Sequence, residues 1–255
     1  MIFSKIKISN KENELIDAWV EGNEKSEITI IFVHGFATDK HETGCYFDDT
    51  TDDLKEKIRI IRFDFSGCGK SEGKLENKNY LKWSEDLDCV ITYTKSNYSG
   101  SIYIFAQSMG CFVTALLSPI NIEKTIFSGL PNSDTKYIGE RIVSRFISRP
   151  GGKLDYKGTS LFPRSNGQKQ KIGASFWKTL FDFNPAEKVN EFSKKTNLMI
   201  IHPQQDEIVG NEYLEKYSQI PGVIIKKLNG DHSFSKPKDR NKLTKTAKKF
   251  FLLSA

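Results

Sequence analysis

Ser108 stands between two apolar runs in the sequence IYIFAQSMGCFVTALL. The first run is typical of a buried strand and the second of a buried helix, so the serine is expected on a tight turn between them. Such a turn admits only small neighbours and lifts the serine hydroxyl clear of the sheet, where it can act as a nucleophile. Ala106 and Gly110 supply the small residues, with alanine in place of the first glycine of the pattern G-x-S-x-G.

A serine hydroxyl needs a histidine to accept its proton and a carboxylate to orient that histidine. His232 follows the predicted strand GVIIKKL, and Asp206 follows the predicted strand TNLMIIH. In a parallel sheet both would lie at the carboxyl edge, where Ser108 also emerges. Asp231 is the rival carboxylate, but neighbouring side chains in an extended loop point apart, which favours Asp206.

Acyl transfer also needs donors for the negative charge that develops on the carbonyl oxygen. His34 and Gly35 follow the predicted strand ITIIFV, so the backbone N–H of Phe36 is expected to point back over the serine. Met109 directly follows Ser108 and would offer a second N–H from the start of its helix. Phe36 and Met109 are therefore the candidate oxyanion donors.

The elements that must position these residues alternate between strands and helices. An antiparallel pair is predicted at residues 2–8 and 15–20, followed by short β-branched strands. An amphipathic helix is predicted between residues 75 and 95, and a last helix runs from Lys238 to Leu253. The alternation predicts an α/β fold with a mostly parallel sheet of about eight strands and helices on both faces.

Residues 131–185 interrupt this alternation. They hold ten Lys or Arg against four Asp or Glu, a net charge of +6 that equals the net charge of the whole chain. Glycine-rich breaks, RPGGK and SNGQKQKIG, predict a lid inserted into a core formed by residues 1–130 and 186–255. Two extra crossover helices with long loops are the alternative.

The aromatic and basic residues of the predicted lid are candidates for contacting a substrate. Arg141, Arg145 and Arg149 recur at helical spacing and would form one cationic stripe that faces either the pocket or solvent. The substrate-contact candidates are Tyr137, Arg141, Arg145, Phe176 and Trp177.

The composition of the chain argues against several classes of protein. A basic chain with 38% hydrophobic residues is expected to form one large domain, and it contains no recognisable nucleic-acid module. No apolar stretch approaches a membrane span, and the N-terminal residues lack the apolar core of a signal peptide, so a cytoplasmic protein is expected. No His or Cys cluster has metal-ligand spacing, and we expect no metal or cofactor. The sequence does not indicate the oligomeric state.

The segment GCGKS invites comparison with a phosphate-binding loop. A Walker A motif needs glycine five residues before Gly69, and that position is Asp64. Nucleotide binding is therefore not expected here.

The segments HGF, DFSGCGKSEG, AQSMG, HPQQDEIV and GDHSF occur in one order along the chain, and in that order the sequence resembles the α/β-hydrolase superfamily. It is most similar to lidded serine carboxylesterases related to serine aminopeptidases, monoacylglycerol lipases and cinnamoyl (feruloyl) esterases. The resemblance implies a structural turn at Asp64, Gly67, Gly69 and Ser71. Pro203 departs from the H-G that often precedes the acidic loop.

The residues and the resemblance together predict a carboxylesterase that cleaves a small to medium ester through Ser108, His232 and Asp206. A thioesterase or acyltransferase acting on an acidic or phosphorylated acyl carrier is the second hypothesis, because the basic segment 131–185 would attract such a partner. The third is a non-catalytic binding protein of the same fold, since a fold alone does not settle function.

Overall fold

The computed structural model describes residues 1–164, 167, 169–212 and 214–252. Three residues of the predicted break SNGQKQKIG, and Leu253 at the predicted end of the last helix, lie outside the described residues.

Ten strands are present in the described part of the chain, and most follow the predicted β-branched runs. They are β1 (Ile2–Ser9), β2 (Leu15–Gly22), β3 (Ile28–Val33), β4 (Arg59–Phe63), β5 (Ser101–Gln107), β6 (Ile122–Ser128), β7 (Ser160–Pro163), β8 (Lys169–Ile172), β9 (Asn197–Pro203) and β10 (Ile224–Leu228).

Eight of these strands form one sheet in the order β1-β2-β4-β3-β5-β6-β9-β10. The six neighbouring strands β4, β3, β5, β6, β9 and β10 run parallel to one another. Strand β1 pairs antiparallel with β2, and β2 pairs antiparallel with β4. The predicted mostly parallel sheet of about eight strands, with its antiparallel opening pair, is confirmed.

Eight helices are described. They are α1 (Tyr46–Leu54), α2 (Tyr80–Asn97), α3 (Met109–Leu117), α4 (Thr135–Ile142), α5 (Ala174–Phe181), α6 (Pro185–Ser193), α7 (Glu215–Ser218) and α8 (Pro237–Leu252). The helix predicted to start near Leu75 begins at Tyr80, where the Asn79 side chain accepts a hydrogen bond from the N–H of Lys82 and so caps it. None of the helices in the described ranges is long and apolar enough to cross a membrane.

The central strands of the sheet are buried on both faces, as parallel strands generally are, whereas the edge strands β1 and β10 are partly exposed. Along β5, Ile102 and Ile104 pack into the apolar layer formed with α2 and α3, while Tyr103 and Phe105 pack into the layer formed with α1 and α8. This period-two division follows from the pleat of a strand, which sends successive side chains to opposite faces. The predicted helices on both faces are confirmed.

Residues 131–185, called the insertion below, follow β6 and extend to the first residue of α6. Helix α4 passes directly into a π turn at Val143–Ile147, and β7 and β8 then form an antiparallel hairpin ahead of α5. The segment therefore holds both helices and a hairpin, a composition that neither of the two sequence hypotheses specified. Several of its apolar side chains, including Phe162 and Phe176, belong to the main core layer.

The turn at Asp64 is a structural element that fixes the loop after β3. The buried Asp64 carboxylate accepts hydrogen bonds from the N–H of Lys40 and the N–H of Lys70, both at 2.7 Å, and forms an ion pair with Lys40 Nζ. A Cβ on Gly69 would overlap the Asp64 carboxyl group. Ser71 Oγ donates to the Asp64 carbonyl oxygen at 2.6 Å, so these polar groups are committed to the turn itself.

Candidate active site

Ser108 occupies a strained turn between the last residue of β5 and the first residue of α3. Its backbone has φ 53° and ψ −120°, a conformation that non-glycine residues rarely adopt. Gly110 lies so close to the Val33 carbonyl oxygen that a Cβ there would overlap it. Backbone strain of this kind persists only where the surrounding structure enforces it, and it is common at functional residues.

His232 and Asp206 are joined by a buried hydrogen bond. His232 Nδ1 lies 2.7 Å from Asp206 Oδ2, and the Asp206 side chain is fully buried. The other carboxylate oxygen of Asp206 accepts from the N–H groups of Ile208 and Val209 at 3.0 and 2.9 Å, which fixes its orientation. Asp231 instead caps the turn at Ser235, so His232 is held by Asp206.

The Asp206 carboxylate also determines the protonation chemistry of His232. A carboxylate only accepts hydrogen bonds, so Nδ1 of the neutral imidazole carries the proton and Nε2 is left as the basic nitrogen. Burial acts to lower the pKa of His232, but the charge of Asp206 and its hydrogen bond outweigh burial. The pKa of His232 therefore lies above its ordinary value, and Nε2 is a stronger base than in a free histidine.

The loop after β3, which carries Phe36, lies against Ser108, since a Cβ on Gly35 would be 3.3 Å from the Ser108 Cβ. His34 is locked beneath this loop, because its Nδ1 donates to the Gly35 carbonyl oxygen at 2.8 Å and its Nε2 accepts from the N–H of Phe65 at 2.9 Å. Both ring nitrogens are thus used, and His34 supports the loop. Within the described residues, the N–H groups of Phe36 and Met109 have no hydrogen-bond acceptor.

Glu42 completes the support of this loop. Its carboxylate accepts hydrogen bonds from the N–H of Gly35 and from the N–H of Thr43, and it is buried. Glu42 and Ala37 both have a positive φ, 59° and 53°. The loop is therefore held in an unusual backbone conformation by a side chain that sequence reasoning did not single out.

A cavity of about 290 Å³ lies over Ser108. Ser108, His232, Phe36 and Met109 all line it, so four of the five predicted core-site residues share one space, with Asp206 directly behind His232. No hydrogen bond joins Ser108 to His232 in this structure. Catalytic hydrogen bonds are often long without substrate and shorten when it binds.

The insertion supplies much of the remaining wall of the cavity. Of the residues predicted there for substrate contact, Arg141 and Phe176 line the cavity, together with Arg149 from the predicted stripe. Others contributed by the insertion are Pro131, Ile138, Ile142, Phe146 and Arg164.

Tyr137, Arg145 and Trp177 are not among the lining residues. Tyr137 lies behind Arg141, whose Nη1 donates to its hydroxyl at 3.2 Å, and Trp177 is buried with its indole N–H donating to Ser160 Oγ at 3.1 Å. Arg145 falls in the π turn after α4, which shifts the helical phase. The three arginines at helical spacing therefore do not form one stripe along the cavity.

Besides Glu42, sequence reasoning missed Gln107 and Arg164. Gln107 Nε2 donates to the His232 carbonyl oxygen at 2.8 Å, and Arg164 Nη2 lies 3.4 Å from the Ala37 carbonyl oxygen. A polar residue at the end of the otherwise apolar strand IYIFAQ was a usable signal for Gln107. Nothing local distinguishes Arg164 from the other basic residues of its segment.

A larger cavity of about 420 Å³ lies elsewhere, beside β9 and β10. It is lined by His202, whose Nε2 is 2.7 Å from Asn211 Oδ1, and burial lowers the pKa of that histidine. None of its lining residues is a serine paired with a histidine and a buried carboxylate. Size alone therefore does not make it the candidate site.

The fold, with its six parallel strands, elbow serine and cavity at their carboxyl edge, is the α/β-hydrolase fold, as the sequence motifs predicted. Residues 24–130 match the family model of the serine aminopeptidases, S33, which covers the segment from β3 through the elbow to the end of β6. Asp206, His232 and the whole of residues 131–185 lie outside the matched residues. No curated protein matches the sequence.

Solved structures agree with the fold over nearly the whole chain. Est1E from Butyrivibrio proteoclasticus, with ferulic acid bound, is 21% identical with a TM-score of 0.77, and the match covers 97% of this chain and 98% of that one. The esterase Pf2001 from Pyrococcus furiosus is 22% identical with a TM-score of 0.75, covering 98% and 90%. The esterase domain of a Rhodothermus marinus protein is 19% identical with a TM-score of 0.72, covering 97% and 96%.

Proposed function

We propose that this protein is a serine carboxylesterase that cleaves small to medium esters through Ser108, His232 and Asp206. One observation carries the proposal: Ser108, on its strained turn, lines the same cavity as His232, whose Nδ1 is 2.7 Å from the buried Asp206 carboxylate. That arrangement leaves Nε2 of His232 as the base that a serine nucleophile needs.

In the proposed reaction, Ser108 Oγ attacks the ester carbonyl carbon while His232 Nε2 accepts the hydroxyl proton. The N–H groups of Phe36 and Met109 stabilise the negative oxygen of the tetrahedral intermediate. His232 then gives its proton to the departing alcohol oxygen, which leaves an acyl group on Ser108. A water molecule, deprotonated by His232, then attacks the acyl-enzyme carbonyl carbon. When the bond to Ser108 Oγ breaks, His232 returns the proton to that oxygen and the acid is released.

The cavity supports a substrate of limited size. A volume of about 290 Å³ is at the low end for small-molecule pockets, which are roughly 300–1,000 Å³. Its walls include Phe36, Phe146 and Phe176, which favour an apolar or aromatic portion of the substrate. The ferulic acid bound to Est1E is an acid of that kind, and it makes aromatic acid esters worth testing here.

We also propose that residues 131–185 act as a lid on a core formed by residues 1–130 and 186–255. Support comes from the eight residues that this segment contributes to the cavity wall, from Pro131 to Phe176. A lid that closes over bound ester would exclude water from the acyl transfer step and strengthen the electrostatic contacts inside.

The experiment is hydrolysis of p-nitrophenyl acetate, butyrate and octanoate by purified protein, with fluorophosphonate labelling mapped by peptide mass spectrometry. We expect turnover and a single label on Ser108, and Ser108→Ala should lose both. Ser118→Ala is the control and should retain both, because Ser118 stands at the other end of α3 and is not among the residues that line the cavity. Absence of turnover and of label in the wild type would favour a binding protein of the same fold.

Thioester hydrolysis remains the second candidate, because three arginines of the insertion line the cavity. Cationic side chains there would attract a phosphorylated carrier such as coenzyme A. Rates on butyryl-CoA and p-nitrophenyl butyrate, compared at 20 mM and 500 mM salt, separate the two functions. A salt-sensitive preference for the thioester would favour this candidate over the esterase.

A further inference from the structure

Two guanidinium groups of the insertion face the cavity that holds Ser108. Arg149 follows the π turn after α4, and Arg164 directly follows β7. Both line the cavity together with Ser108 and His232. They come from segments 15 positions apart in the sequence, so their meeting at one cavity is a consequence of the fold of the insertion.

These two charges are not neutralised by an ion pair. Elsewhere in the described chain, Arg62 and Arg240 contact carboxylate oxygens at 2.7 and 2.6 Å. No carboxylate of the described residues lies at ion-pair distance from Arg149 or Arg164. The Arg149 guanidinium instead packs over the Phe146 ring, 5.2 Å from its centre, a contact that does not use its N–H groups, and no acceptor for them is present among the described residues.

The cavity wall holds three other charged side chains, Arg141, Glu42 and Glu207, and the first two are engaged elsewhere. Arg141 Nε donates to the Ile208 carbonyl oxygen at 2.8 Å and its Nη2 donates to the Glu207 carbonyl oxygen. The Glu42 carboxylate is taken up by the N–H groups of its own loop. Glu207 is the remaining carboxylate on the wall. Three arginines against two glutamates therefore line the wall, and among the described residues Arg149 and Arg164 are the arginines of this wall with the fewest side-chain hydrogen bonds.

Arg149 and Arg164 also repel each other. Burial lowers the pKa of Arg164, and the nearby charge of Arg149 lowers it further, while Glu42 partly offsets this. Two like charges in a partly buried space are unfavourable unless an anion lies between them. A guanidinium matches the oxygens of a carboxylate or phosphate with two parallel hydrogen bonds, so an anion of this kind would relieve the repulsion.

Arg164 lies close to the loop that carries the proposed oxyanion donor Phe36. Arg164 Nη2 lies 3.4 Å from the carbonyl oxygen of Ala37, the residue after the proposed oxyanion donor Phe36. Gln170 Nε2 donates to the same carbonyl oxygen at 3.1 Å and ties β8 to this loop. An anion on Arg164 would therefore be only a few bonds from an ester carbonyl bound at Phe36.

We propose that the preferred substrate is an anionic ester, one that carries a carboxylate or phosphate group a few atoms from the scissile carbonyl, and that Arg149 and Arg164 bind that group. The proposal rests on the proposed esterase function and narrows its substrate class. This proposal differs from the hypothesis that the net positive charge of residues 131–185 attracts an anionic partner. It assigns the substrate preference to two residues of the cavity wall.

The test compares matched neutral and anionic esters. Mono-p-nitrophenyl glutarate against p-nitrophenyl pentanoate places a carboxylate on the acyl side, and monobutyryl glycerol 3-phosphate against monobutyrin places a phosphate on the alcohol side. We expect kcat/KM to be at least about 10-fold higher for one anionic ester than for its neutral match, mostly through a lower KM, since charge-assisted hydrogen bonds contribute binding of that order. A preference within the glutarate pair would place a carboxylate on the acyl side of the ester, and a preference within the glycerol phosphate pair would place a phosphate on the alcohol side.

Variants assign the preference to particular residues. The double variant Arg149→Gln/Arg164→Gln should bring the ratio of kcat/KM on the anionic ester to kcat/KM on its neutral match close to one, and this ratio is the readout because it cancels any common loss of activity. Lys178→Gln removes one charge from an exposed position of the same segment and should keep the preference. Equal rates on neutral and anionic esters, or a preference that survives the double variant, would overturn the proposal.

A binding measurement separates this proposal from the esterase function. In the Ser108→Ala background, monomethyl glutarate at millimolar concentration should raise the melting temperature, and the same addition should have no effect once Arg149 and Arg164 are also changed. Stabilisation without hydrolysis of any ester would mean that the anion site exists and the esterase assignment fails. Hydrolysis of neutral esters without stabilisation by monomethyl glutarate would mean that the esterase assignment holds and that the anion site does not exist.

Discussion

The side-chain amide of Gln107 donates a hydrogen bond to the backbone carbonyl oxygen of His232 at 2.8 Å. Gln107 is the last residue of β5 and immediately precedes Ser108, while His232 lies on the loop after β10. This contact joins the two segments that supply the proposed nucleophile and the proposed base, and both partners are buried. The distance between Ser108 and His232 therefore depends on Gln107.

Gln107→Met, which keeps the shape of the side chain but removes the donor, should lower kcat on p-nitrophenyl butyrate by about 10- to 100-fold, because small displacements of a catalytic group cost this much. KM should change little, since the cavity wall is intact. Steady-state kinetics and the rate of fluorophosphonate labelling measure the effect. A KM increase with kcat unchanged would mean that Gln107 shapes the cavity and does not position His232.

The choice between Asp206 and Asp231 can be tested with a matched pair of variants. Asp206→Asn should lower kcat by about 10⁴-fold, because an amide beside Nδ1 favours the wrong tautomer of the base. Asp231→Asn should lower it by less than about 10-fold, since Asp231 bonds to Ser235 and acts on the loop alone. Comparable losses in the two variants would contradict the assignment of Asp206 as the residue that orients His232.

The elements of the core were predictable because their signals are local. The β-branched runs predicted strands β3 to β6. The small residues around Ser108 and the glycines after Asp64 predicted the tight turns at these two places. Helix α1, sequence YFDDTTDDL, was missed because it has only three apolar residues, Tyr46, Phe47 and Leu54, and its buried side also includes the threonines.

The site itself was predictable only in part. The preference for Asp206 over Asp231 agrees with the hydrogen bond that His232 makes, since the predicted strand ends set which loops meet. Glu42, Gln107 and Arg164 depend on how distant segments pack, and no periodicity encodes that. Arg145 was expected on a stripe with Arg141 because straight helical geometry was assumed, and the π turn changes that geometry.

The pH dependence of the proposed esterase follows from the environment of His232. The base must be neutral, and the Asp206 charge and hydrogen bond raise the pKa of His232 against the opposing effect of burial. As pH rises, kcat/KM should therefore increase and reach half its plateau above pH 6.5. In Asp206→Asn the raising contribution is removed and burial remains, so the residual activity should reach half its plateau at a lower pH. An unchanged midpoint would show that another group controls the profile.

The buried ion pair of Lys40 and Asp64 is expected to stabilise the loop that carries Phe36. Both side chains are almost fully buried, Lys40 also contacts Asp17 at 2.7 Å, and attraction to the two carboxylates raises the pKa of Lys40 although burial opposes this. Lys40→Met leaves buried carboxylates without their cation and should lower the free energy of unfolding by about 3–5 kcal/mol. Lys55→Met removes an exposed pair with Asp52 and should cost less than about 1 kcal/mol.

Urea denaturation at pH 7 measures both lysine variants, and ester hydrolysis well below the denaturation midpoint reports on the loop. If Lys40→Met lowers kcat while stability is still ample, the ion pair also holds the N–H of Phe36 in position, because the Lys40 N–H and Nζ both bond to Asp64 at 2.7 Å. A stability loss no larger than that of Lys55→Met would mean that water or a rearranged loop replaces the cation. The turn at Asp64 would then be held by its backbone hydrogen bonds alone.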